Sequence, residues 1–85
     1  MRHFDSGYIS GKQLVLLDNI PARNFSIVPI DTQCFVDIII DNDVKFYHLN
    51  LQDGFSINNI SYLRISFYNH ESLIDKRIDF IYDDF

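Results

Sequence analysis

Eighty-five residues bury one core and no more. The formal charge of -5 at pH 7, with seven Lys and Arg scattered along the chain, excludes the clustered cations that grip nucleic-acid phosphates or an anionic membrane surface. Thirteen Ile, eight Phe, five Tyr and four Val stand against one Ala and one Met, and eleven of the twelve acids are Asp, so the composition predicts strands and turns rather than helices. The single cysteine, Cys34, excludes an internal disulfide and fits a reducing compartment. No basic segment followed by an apolar one opens the chain and no apolar run is long enough to span a bilayer, which predicts a soluble protein made in a cytoplasm.

From the N-terminus, Met1 to Ser6 is polar and mixed in charge, and Ser10-Gly11-Lys12 is a turn signal between Tyr8-Ile9 and the run Gln13 to Leu17. An opening hairpin is expected there, with Leu14 and Leu16 on one face of its second strand and Val15 and Leu17 on the other. Asp18-Asn19-Ile20-Pro21 breaks that strand, and Phe25 to Ile30 reads as a third, with Pro29 near its end. The stretch from Cys34 to Leu49 reads as two strands folded on the polar turn Asp41-Asn42-Asp43. Period-two alternation puts Val36, Ile38 and Ile40 on one face and Phe35, Asp37, Ile39 and Asp41 on the other; on the return strand it separates Val44, Phe46 and His48 from Lys45, Tyr47 and Leu49.

Gln52-Asp53-Gly54-Phe55 carries an Asp-Gly hairpin signal and leads to a short strand, Phe55 to Ile57, interrupted by Asn58-Asn59. Ile60 to Tyr68 is expected as one strand, with Leu63, Ile65 and Phe67 in the core and Tyr62, Arg64, Ser66 and Tyr68 opposite. Asn69 to Lys76 predicts a helical turn or a polar loop, and Arg77 to Tyr82 a last strand with Ile78, Phe80 and Tyr82 on one face. Together these elements predict an all-β fold: one domain over residues 1–85, a single small antiparallel β-sandwich or barrel of about seven short strands.

No residue pattern carries catalysis, a cofactor or a metal. His3, His48 and His70 lack close ligand spacing and read as structural or surface residues. Asp41-Asn42-Asp43 has the acidic start of a calcium loop, but the Gly and Glu that complete one are absent. Cys34 reads as a small buried hydrophobe, and Asn24-Phe25-Ser26 and Asn59-Ile60-Ser61 match the glycosylation triplet without a leader. One feature exceeds the background. Several strands look apolar on both faces, with Val15, Leu17 and Ile81 opposing the presumed core set, and a lone sandwich should show a mostly polar exterior. The surplus, with Tyr and Arg in line, has the composition of a protein interface and selects Tyr62, Arg64, Tyr68, Phe35, Ile39, Tyr47 and Leu49 as its residues.

Ile20-Pro21-Ala22-Arg23-Asn24-Phe25 leading into a strand, Gly54 after a polar loop, and the strand Leu63-Arg64-Ile65-Ser66-Phe67-Tyr68-Asn69 together resemble the small β-sandwich accessory proteins of tailed-phage virions, which decorate a capsid or sit at a vertex or tail junction. The resemblance covers about half the chain and implies a non-enzymatic structural protein of a virion, made in the host cytoplasm and present in many copies. It implies other virion or assembly proteins as partners and a homo-oligomer or multi-copy state, while the charge argues against direct contact with nucleic acid or membrane and no residue pattern calls for a cofactor. Two other readings remain open from the residues. One is a small phage-encoded acidic inhibitor whose Asp residues imitate nucleic-acid phosphates to block a basic host protein; it needs Asp residues lined up on one face, whereas Asp18, Asp31, Asp41, Asp43 and Asp53 read as separate turn residues. The other is a carbohydrate-binding module that stacks sugars on Tyr47, Tyr62 or Tyr68.

Overall fold

The computed structural model describes residues 1–9, 13–70 and 76–85. Among them run eight strands: β1 (Arg2–Ile9), β2 (Gln13–Leu17), β3 (Ala22–Ile27), β4 (Phe35–Ile40), β5 (Val44–Asn50), β6 (Phe55–Tyr62), β7 (Ile65–Asn69) and β8 (Lys76–Asp84). A 3-10 turn at Leu51–Asp53 joins β5 to β6. The strands form two antiparallel sheets, β1-β8-β3-β6 and β2-β7-β4-β5, packed face to face as a small sandwich.

Alternation builds the core where the strands are regular. Val36, Ile38 and Ile40 of β4 and Ile65 and Phe67 of β7 point inward from one sheet, and Phe25, Ile27, Ile78 and Phe80 meet them from the other. Phe25 is the centre of the aromatic packing, with ring centroids 5.8 Å from Phe80, 6.2 Å from Tyr62 and 6.5 Å from Phe55. Each fully buried aliphatic or aromatic side chain of this kind contributes about 1.5–3 kcal/mol through removal from water. Cys34 is fully enclosed, as expected of a small hydrophobe, and its Sγ lies 3.8 Å from Asn69 Oδ1.

The central hairpin forms as expected, β4 against β5, with Asp41 and Asn42 at φ of 55° and 58° and the Asp43 amide donating to the Ile40 carbonyl. Three other connections differ from the sequence reading because the chain changes sheets. β1 pairs with β8 and β2 with β7, so the first two strands are not a hairpin, and the Ser10-Gly11-Lys12 turn lies outside the described residues. The Asp53-Gly54 signal likewise closes no hairpin. Leu51, fully buried, pins the 3-10 turn, and Gly54 at φ 74° passes the chain to the other sheet where an added Cβ would press on Pro29 Cγ at 3.0 Å. Finally, the expected strand from Ile60 to Tyr68 is two strands in different sheets, broken at Leu63-Arg64. Most of the expected helical turn or loop from Asn69 to Lys76, residues 71–75, lies outside the described residues.

Bulges explain the apparent two-faced hydrophobicity at two positions, Leu17 and Leu49. In β2 the register shifts between Val15 and Leu17, so Leu14, Leu16 and Leu17 all pack inward while Val15 stays 42% exposed. Leu16 comes so close to β1 that a Cβ at Gly7 would stand 2.9 Å from its Cδ2. In β5 Tyr47 and His48 together face Asp37, with His48 at φ 55°, and the shift turns Leu49 onto the core beside Phe46. Leu49, expected on the outer face, is therefore a core-packing residue. The Asn58-Asn59 interruption is a third bulge inside a continuous β6: Asn24 at φ 50° and Asn59 at φ 62° face each other, and Asn24 Oδ1 accepts the Asn59 amide at 2.8 Å.

Candidate interaction face

The outer face of the β2-β7-β4-β5 sheet gathers most of the residues selected from the sequence. β4 contributes Phe35, Asp37 and Ile39, all half-buried, and β7 contributes Ser66 and Tyr68, because these positions alternate with the core residues of the same strands. Tyr68 lies between Gln13 of β2 and Asp37 of β4 in register. Tyr47 stands 67% exposed at the β5 bulge.

Arg64 enters this face through a turn held from far along the chain. Asp41 Oδ1 accepts the amides of Leu63 and Arg64 at 2.8 and 2.7 Å, and the Asp41 amide donates to the Arg64 carbonyl at 3.0 Å. The guanidinium then lies half-buried along a groove of about 260 Å³ lined in part by Val15, Asp37, Ile39, Asn42 and Tyr68. Its Nε is enclosed by the protein and has no hydrogen-bond partner among the described residues. An enclosed cationic donor without an acceptor costs stability.

The same turn removes Tyr62 from the face. Tyr62 ends β6 on the far side of the sheet switch and is 3% exposed, its ring edge-on to Phe25 and its hydroxyl donating to the Asn24 carbonyl. Burial, with the Tyr82 and Asp83 charges, pushes its phenol well above the ordinary tyrosine value. Leu63, expected in the core, occupies the turn and is 48% exposed.

A polar cluster that sequence reasoning did not assemble borders the groove. Asp37 Oδ1 accepts the His48 amide at 2.8 Å and lies 2.8 Å from His70 Nε2. Partial burial alone would raise the Asp37 carboxyl, but the His48 amide and the His70 ring outweigh it and hold the pKa below the ordinary value. Around this carboxylate the rings form a row: Phe35 stacks on His48 at 4.4 Å and 10°, His48 meets His70 at 6.0 Å, and His70 meets Tyr68 at 5.3 Å. No three His, Cys, Asp or Glu side chains among the described residues converge as metal ligands. His48 and His70 are 22 positions apart, and only the β5 bulge and the end of β7 bring them together, so no sequence spacing announced them.

The residues behind the two other readings are dispersed or occupied. Asp31 pairs with Lys76, Asp41 caps the Leu63-Arg64 turn, and Asp53 sits in the 3-10 turn, so these acids line no single face. Of the three candidate sugar platforms, Tyr62 is buried and Tyr68 is half-buried against His70. No family model, curated protein or solved structure matches the chain.

Proposed function

We propose that this protein is a non-enzymatic interaction module that works in many copies within a larger assembly, docking a partner protein on the outer face of its β2-β7-β4-β5 sheet. The observation that carries the reading is the half-buried guanidinium of Arg64, its Nε without an acceptor among the described residues, in a groove walled by Ile39, Val15 and Tyr68. A carboxylate from the partner pairs with the half-buried guanidinium from the open side of the groove, while Phe35, Tyr47 and Tyr68 supply aromatic area that orders at little entropic cost. The resemblance of the β3 and β7 segments to tailed-phage accessory proteins supports a phage particle as the assembly, with a decoration, vertex or tail-junction position. Co-sedimentation of the purified chain with phage capsid and tail assemblies tests the reading. Binding that is lost when Arg64 is changed to Ala is expected; a chain that stays a free monomer beside every such assembly contradicts it.

A further inference from the structure

Four strands lie at sheet edges, and three of them carry breaks in register: β2 between Val15 and Leu17, β5 at Tyr47 and His48, and β6 opposite Asn24. β1 carries none. Its eight residues run in step with β8, from Arg2 opposite Asp83 to Ile9 opposite Lys76. A bulged edge resists the docking of another strand, whereas a long regular edge offers a continuous row of backbone donors and acceptors.

The direction of that row follows from one bond. The Met1 carbonyl accepts the Asp84 amide at 3.0 Å, and antiparallel ladders alternate, so His3, Asp5 and Gly7 turn their backbone groups toward β8. Phe4, Ser6 and Tyr8 turn theirs outward. The Ser6 amide agrees with this parity, since its acceptor is the neighbouring Asp5 Oδ1 at 2.8 Å, an exposed local contact. The outward-bonding residues also share one side-chain face, on which Phe4 is 77% and Tyr8 57% exposed.

Phe4 and Tyr8 are placed symmetrically about Ser6. A second β1 laid antiparallel with Ser6 opposite Ser6 sets Phe4 of each copy against Tyr8 of the other, at positions whose backbone groups point across the gap. The same register places Asp5 opposite Gly7 and brings no like charges together. Cross-strand aromatic pairs in such positions stabilise a sheet. We infer that β1 is a self-association edge, which pairs with β1 of a second copy about a two-fold axis and joins two four-stranded sheets into one of eight. The local Asp5 contact to the Ser6 amide opens when the partner strand arrives. This edge belongs to the opposite sheet from the Arg64 groove, and the inference does not rest on the partner proposed for that groove.

Sedimentation velocity of the whole chain from micromolar to millimolar concentration tests it, together with amide hydrogen exchange read residue by residue. A concentration-dependent dimer is expected, with the amides of Phe4, Ser6 and Tyr8 gaining protection as it forms. Ser6→Pro removes only an outward N–H, so it should keep the thermal midpoint and weaken dimerisation at least about tenfold. Phe4→Lys should weaken it similarly and decides the matter if the proline variant does not fold, while Arg64→Ala should leave the dimer at wild-type strength. A chain that stays monomeric at millimolar concentration, or a dimer that Phe4→Lys does not weaken, overturns the inference.

Discussion

At the scale of single residues, two carboxylates do work that their neighbours in sequence do not disclose. Asp41 holds both amides of the Leu63-Arg64 turn, 22 and 23 residues away, and so sets the direction in which Arg64 enters the outer face. Asp41→Ala should cost about 1 kcal/mol, the usual worth of hydrogen bonds at an exposed site, and should also weaken partner docking; urea unfolding and co-sedimentation of the same variant check both. Asp37 has a depressed pKa in the folded chain, as do Asp31 beside Lys76, Asp83 beside Arg2 and Asn24, and Asp84 beside His3 and the N-terminal ammonium. A depressed folded value means the stabilisation is complete above the unfolded carboxyl pKa of about 3.9 and is lost as pH falls through the folded value. The urea midpoint should therefore drop below about pH 4, and Asp37→Asn should flatten part of that acid limb. An acid limb unchanged in this variant would show that Asp37 contributes nothing to it.

At the scale of elements, the bulges decide what is core and what is surface. Alternation in β4 was legible in the sequence, because six regular residues with three apolar positions on one face leave little choice. Phe35, Ile39, Arg64 and Tyr68 were legible as face residues for the same reason, since each sits on or beside a regular stretch of β4 or β7. Leu17 and Leu49 were not, because one inserted residue reverses parity for everything after it, and His48 at φ 55° is no common signal for such an insertion. Tyr62 was misplaced through a different cause: the switch between sheets at Leu63-Arg64 is imposed by Asp41, a contact that no local window contains. The crossover at Gly54 makes an element-scale prediction. Gly54→Ala meets both a φ of 74° and the Pro29 ring, with Cγ 3.0 Å from the added Cβ, and should lower stability by about 1–2 kcal/mol in thermal or urea unfolding.

At the scale of the whole molecule, the sandwich has two exteriors of different character. The β1-β8-β3-β6 sheet carries Ser26 and Ser56 in hydrogen-bond contact and Asp83 bonded to Arg2 and Asn24, along with the regular β1 edge. The other sheet carries the row of rings, the Asp37 cluster and the groove of Arg64. Under the proposals made above, that division would give the module one surface for a partner and one edge for its own copies. In the function proposed above, Arg64 serves the partner and not the fold. The most direct measurement takes Arg64→Ala through thermal unfolding and partner affinity side by side. A thermal midpoint that does not fall, with affinity weakened by about 1–3 kcal/mol, is the predicted result, as for a buried interface anchor. A variant that loses stability and keeps its affinity would contradict the account.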